Sequence, residues 1–211
     1  MLKIKNMNKA VEEALAGVRA DIQAEFGRYF NELISGDFLE LPEKTRGASL
    51  HEITDVASLE ALPTGPGFYV IFSSCAVEGV PSRLRLADGR RAIYRGEGRF
   101  VQRRVESHLF KEAHDRLHAE RKLKNSSEQR YGVCLRLAES DEAYGINVDR
   151  LPHCRERWAV LVVRLPDSLS DIRKQAEIAF DTRFGRPAAS RETKKKTEDD
   201  ADESAFSAAI A

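Results

Sequence analysis

Between Asn8 and Ser35 apolar side chains return every three or four positions, through Val11, Leu15, Val18, Ile22, Phe26, Phe30 and Leu33. That period predicts one long amphipathic helix, and Gly36 followed by Asp37 supplies a stop. The pattern then dissolves into turns, with one short helix predicted near 56–61. "GFYVIF", 67–72, is aromatic and β-branched between glycine-proline and serine punctuation, which predicts a strand. In "SRLRLADGRRAIY" Leu84 and Leu86 alternate with arginines, and Asp88-Gly89 suits a two-residue type I′ hairpin turn. Gly96 and Gly98 are read as breaking the second strand and opening a helix with Phe100, Val101, Val105 and Leu109 on one side. The charged continuation to about Ser127 either extends that helix or loops out. "YGVCLRL", 131–137, is a further strand candidate, and "DEAYGINVDRLPHCRER" is irregular. "WAVLVVRL", 158–165, is apolar almost throughout, as a central strand covered on both faces should be. Ser168 and Asp171 have the spacing of a capping box ahead of a helix through Ala176, Phe180 and Phe184, closed by Gly185 and Pro187. The end, "RETKKKTEDDADESAFSAAIA", has blocks of charge and little to bury, and is read as a disordered tail.

These elements predict an α+β fold: a small mixed or antiparallel sheet, about three core strands plus an inserted hairpin, flanked by helices and preceded by a long N-terminal helix. Residues 1–64 form an N-terminal helical region, 65–190 the main domain with an insertion at about 111–157, and 191–211 the tail.

Composition changes this picture little. Of 211 residues 42% are apolar and 32% charged, and no run nears the roughly 20 apolar residues a membrane span needs. The positively charged start has no apolar stretch behind it, so no secretory leader is expected. Cys75, Cys134 and Cys154 are scattered with no C-x-x-C pair, which favours a reducing compartment, the cytoplasm, over disulfides or structural zinc. Charge changes it more. The net charge is zero, yet 83–136 holds fifteen Lys or Arg against seven Asp or Glu. A local basic block is what phosphate binding needs, although a solvated helix face has the same composition.

The chemistry-bearing residues fall in one order: "GFY" at 67–69, "YRG" at 94–96, Arg104, His108 four residues on, and Glu177 within "RKQAEIAFDTRFGRP". This ordered set resembles the GIY-YIG nuclease superfamily over roughly residues 65–188. The resemblance implies that fold, phosphodiester cleavage, catalytic roles for Tyr69, Tyr94, Arg104, His108 and Glu177, and one Mg²⁺ or Mn²⁺ held by Glu177. The residue chemistry is suited to it. Arg104 offers a permanently charged fork for phosphate oxygens, and His108 projects one helical turn further along the same face to orient a tyrosine or relay a proton. Glu177 offers a hard oxygen ligand. Of the two phenols Tyr69, which ends the first motif, is taken as the base. Arg95, Arg99 and Arg103 are candidate nucleic-acid contacts.

Singly, each has an ordinary reading. The tyrosines suit a sheet core, and Glu177 stands four residues from Arg173 for an i,i+4 pair. An Arg103 register would put Ser107 one turn on in place of His108. Departures from the family pattern are Phe68 and Arg95 at the middle positions, a longer interval between motifs, and no asparagine after the glutamate helix, where Ser190 is nearest. His114 and His118 stand nearby without an assigned role. The expected function is a metal-dependent endonuclease, acting on DNA in restriction, defence, repair or mobile-element work. Its partner is double-stranded DNA, with no membrane. The N-terminal helix either pairs two copies into a homodimer or packs into the monomer core. The alternative is a catalytically silent nucleic-acid-binding module of the same fold.

Overall fold

The computed structural model describes residues 2–39, 45, 47–75, 82–122 and 146–190, without the side chains of 2–6 and 118–122. The expected strand at 131–137 and the tail from 191 lie outside the described residues. The chain is a mixed α+β structure around a six-stranded sheet. The strands are β1 (Phe38–Leu39), β2 (Ala48–Ile53), β3 (Gly67–Ser73), β4 (Arg85–Leu86), β5 (Arg91–Gly98) and β6 (Trp158–Arg164), in the order β1-β4-β5-β3-β6-β2. β3 runs antiparallel to both β5 and β6, β2 antiparallel to β6, and β1 parallel to β4. The helices are α1 (Leu2–Leu33), α2 (Val101–Leu109), α3 (Lys111–Lys122) and α4 (Ser170–Phe184), with a 3₁₀ turn at Val56–Ala61. No helix among the described residues is long and apolar enough to cross a membrane.

Side-chain alternation along β3 divides the core. Phe68, Val70 and Phe72 face α4 and the last turns of α1, where Phe30 lies 5.5 Å from Phe68 and 5.9 Å from Phe180 between ring centroids. Tyr69 and Ile71 face α2 and the 3₁₀ turn, packed with Val101, Val105, Leu109 and Trp158. The result is three layers, helix on sheet on helix. α1 thus packs at its C-terminal end within the monomer, while Met7, Val11, Leu15 and Val18 are exposed.

Five expectations are corrected. The sheet has six strands, because residues 38–39 and 48–53 of the N-terminal region join it. β2 is a half-exposed edge strand that fully buries only Ile53, so it carries no two-residue period. α1 begins at Leu2, since nothing in "LKIKNMN" interrupts a helix. The β4–β5 connection is not type I′, which needs positive φ at both central residues. Asp88 lacks it, Gly89 has φ +90, and Leu86 N–H donates to Arg90 O at 2.8 Å across a three-residue loop. The capping box is not formed. Ser168 Oγ donates instead to Leu165 O at 2.6 Å, and Leu169 precedes α4 without a side-chain cap. Finally, Gly96 lies inside β5 and does not break it, while Gly98 is the strand's last residue.

Candidate active site

The β3–β5 register sets the geometry. Ile71 pairs with Tyr94 but Phe72 with Ala92, so Ile93 is an extra residue in β5. Tyr94 lies on the α2 side by regular pairing, opposite Ile71 as Gly96 is opposite Tyr69, and the extra residue turns Ile93 to that side as well. The two tyrosine rings lie 6.1 Å apart at 34°. The bulged strand's spare backbone groups are taken by the segment after α4: Ala189 N–H donates to Ile93 O at 3.0 Å, and Arg95 N–H to Ser190 Oγ at 2.9 Å. Ser190, beside the missing asparagine, therefore holds the motif strand.

The glycines provide space. A Cβ on Gly96 would stand 2.5 Å from the Tyr69 hydroxyl, and one on Gly98 2.9 Å from Arg104 Cγ. β5 runs through Gly96 to its end at Gly98, and neighbouring side chains fill the volume that the glycines' own would occupy.

Helix α2 adds His108 and Arg104. The His108 ring lies 4.5 Å from the Tyr94 ring, and its Nε2 is 2.9 Å from Tyr69 Oη. Tyr69 and His108 are 0% exposed, and Tyr94 8%. Burial drives the Tyr69 pKa well above its ordinary value, with Tyr94 and Glu177 adding to the rise while Arg104, by charge and by a hydrogen bond to the phenol, opposes it. Burial likewise pushes the His108 pKa well below normal, helped by the charges of Arg104 and His114. His108 is therefore neutral at physiological pH. Its Nδ1 is buried with no hydrogen-bond partner. A bare lone pair is cheaper to bury than a bare N–H, which favours the tautomer in which Nε2–H donates to the Tyr69 oxygen. Protonating Nδ1 would strand a buried donor, so the arrangement suits His108 to orienting Tyr69.

Glu177 approaches from α4, on the other face. Its Oε2 lies 3.3 Å from Arg95 Nη1, while the rest of that guanidinium is forked onto Asp181 at 3.0 and 2.7 Å. Burial would lower the Arg95 pKa, but Asp181 and Glu177 outweigh it and hold it above normal. Arg95 was a candidate nucleic-acid contact, and here the structure differs: at 4% exposure its guanidinium is spent on two carboxylates. Nor does Glu177 pair with Arg173, whose Nε donates to Glu97 Oε2 at 2.6 Å. Arg99 and Arg103 are exposed at the start of α2.

The structure thus brings Tyr69, Tyr94, Arg104 and His108 together and sets Glu177 beside them. The bulge was legible only as the adjacent pair Ile93-Tyr94 interrupting alternation, and Asp181 carried no signal. Glu177 supplies one hard oxygen and is the looser of Arg95's two partners, and among the described residues no group of three or more His, Cys, Asp or Glu side chains gathers to hold a metal ion. Comparison of the chain with family models, curated proteins and solved structures finds no match.

Proposed function

We propose that this chain is a divalent-metal-dependent endonuclease of the GIY-YIG type, hydrolysing phosphodiester bonds of DNA in the cytoplasm. The observation that carries the reading is the buried cluster of two phenols and a neutral imidazole, with Arg104 against Tyr69 and Glu177 at its edge. Such a cluster adds nothing to stability that Phe and Leu would not, and it strands a ring nitrogen. Arg104, partly exposed, would bind a phosphate oxygen and stabilise charge as it develops. Tyr69 is anchored by His108 and wholly buried, so Tyr94, the phenol with a surface, becomes the better candidate to orient the attacking water, in place of the expected Tyr69. A bound Mg²⁺ or Mn²⁺ at Glu177 would add positive charge at the phosphate. Exposed Arg99 and Arg103 extend the phosphate-binding surface. Double-stranded DNA is the proposed substrate, with α1 pairing two copies for cleavage of both strands.

The Arg95–Glu177 pair favours a second reading, a nucleic-acid-binding module without cleavage, because it gives the carboxylate a structural role. One experiment separates the two. Supercoiled plasmid is incubated with Mg²⁺ or Mn²⁺, with and without chelator, using the wild type, Arg104→Ala and Glu177→Ala. The nuclease reading expects metal-dependent nicking that falls about 10²–10³-fold with Arg104→Ala and vanishes with Glu177→Ala. Salt-sensitive binding of uncut plasmid by the wild type would establish the second reading instead.

A further inference from the structure

We propose that Phe100, with Arg99 and Arg103 against its ring, is a stacking platform for an unpaired nucleobase beside the candidate active site. The proposal rests on the reading above in taking nucleic acid as the ligand.

Phe100 occupies the position before α2 where Ser, Thr, Asp or Asn would cap the helix. It makes no side-chain capping bond and leaves its ring 49% exposed. An exposed aromatic at a forgone cap helps neither the helix nor the core. Two cations sit on it: Arg99 Cζ lies 5.7 Å and Arg103 Cζ 5.2 Å from the ring centroid. Among the described residues these two arginines make no ion pair or hydrogen bond, so the ring is their contact. A protein partner with an apolar surface would have to bury both charges, whereas a nucleotide satisfies ring and charges together.

Position supplies the other half. Arg104 is four residues from Phe100 on the same side of the helix, and its backbone N–H donates to Phe100 O at 3.2 Å. The stem of Arg104 crosses Gly98, immediately before Arg99. A phosphate held by Arg104 therefore brings the adjoining nucleotide to the Phe100 ring, with Arg99 and Arg103 placed for flanking phosphates. Every base has a flat face, so the platform is indifferent to sequence. In an intact duplex those faces are occupied, so the occupant is a base in a single strand, a gap or a flap, or one rotated out of the helix.

The test is a binding titration of the full chain in chelator, using single-stranded DNA, single-stranded RNA and the matching blunt DNA duplex. Trp158 is the sole tryptophan and is buried, so Phe100→Trp introduces one exposed indole as a reporter. Single strands should quench the added emission to saturation, and the sugar that quenches at lower concentration identifies the preferred strand. Phe100→Ala should weaken single-strand binding about tenfold with the salt dependence unchanged. Arg99→Gln and Arg103→Gln should each lower the slope of log K against log salt by about 0.7. Unaltered affinity in Phe100→Ala, or unchanged emission at saturation, overturns the platform while the nuclease reading stands. Absence of salt-sensitive binding by the wild type overturns both.

Discussion

Strand β3 meets two environments. On the α4 side Phe68, Val70 and Phe72 pack against Phe30, Phe180 and Phe184, and the contact is carbon throughout the centre of the layer. Charged groups stand at its margins, Arg95, Glu177 and Asp181 together at one end and Arg183 over Phe184 at the other. On the α2 side Tyr69, one residue from Phe68, directs a phenol into an equally dry layer, to meet a histidine whose second nitrogen has no partner. The centres of both faces are closed to water, yet one centre has only groups that gain from burial and the other has groups that lose by it. Residues that break a local rule with no structural return mark the face where function is to be sought.

The largest effect should come from the carbon face. Phe180→Ala removes a fully buried ring touching Phe30, Phe68 and Phe184, and should cost about 3–5 kcal/mol in chemical denaturation. Tyr69→Phe removes one hydroxyl, leaves the buried His108 Nε2–H without its acceptor, and should cost about 1–3 kcal/mol while slowing cleavage. If Tyr69→Phe proved as damaging to stability as Phe180→Ala, the Tyr69–His108 pair would be structural and the contrast between the faces would collapse.

Next in size is Gly96→Ala. The new methyl meets Tyr69 Oη at 2.5 Å and Cζ at 2.7 Å, an overpacking that should cost about 1–3 kcal/mol. Because the hydroxyl is the nearest atom, adding Tyr69→Phe should recover part of the loss in a double-mutant cycle. Additive losses would mean that Gly96 is required by the strand and not by the phenol.

The same contrast governs what could be read from sequence. β3, β6 and α4 were legible because each buries an apolar stripe or run at its own period, as Val160, Leu161 and Val162 do in β6, and α1 because its apolar stripe keeps the helical period although only its last turns, at Phe30 and Leu33, are buried. β2 was not, since the edge strand "ASLHEI" is half-exposed along most of its length and shows no alternation. At the site, Tyr69, Tyr94, Arg104 and His108 could be expected together from motif order, but the reason they meet could not. Tyr94 faces Tyr69 through the register that sets Gly96 opposite Tyr69 and Tyr94 opposite Ile71, and Ile93 joins them through a bulge; register and bulge alike are properties of two paired strands. Arg95 read as a surface cation because its partners Asp181 and Glu177 lie more than eighty residues away, on a helix whose rotation the sequence leaves open.

The smallest effect is a slope. His108 is held neutral in the folded chain, its pKa depressed by burial first and then by Arg104 and His114. In the unfolded chain it returns to about 6.5. Below that pH the unfolded chain takes up a proton that the folded chain refuses, so protons favour unfolding. Stability from this group is complete above about pH 6.5 and is lost as pH falls, at up to about 1.4 kcal/mol per pH unit. His51, half-buried and also shifted down, adds a smaller slope of the same sign. Urea unfolding between pH 5 and 7 should therefore show stability rising with pH and then levelling. His108→Asn, whatever it does to stability at pH 7, should flatten most of the rise, whereas His51→Asn should leave most of it. A slope that survives His108→Asn would place the strained titration elsewhere and deprive the α2 face of the feature that most sets it apart from the carbon face.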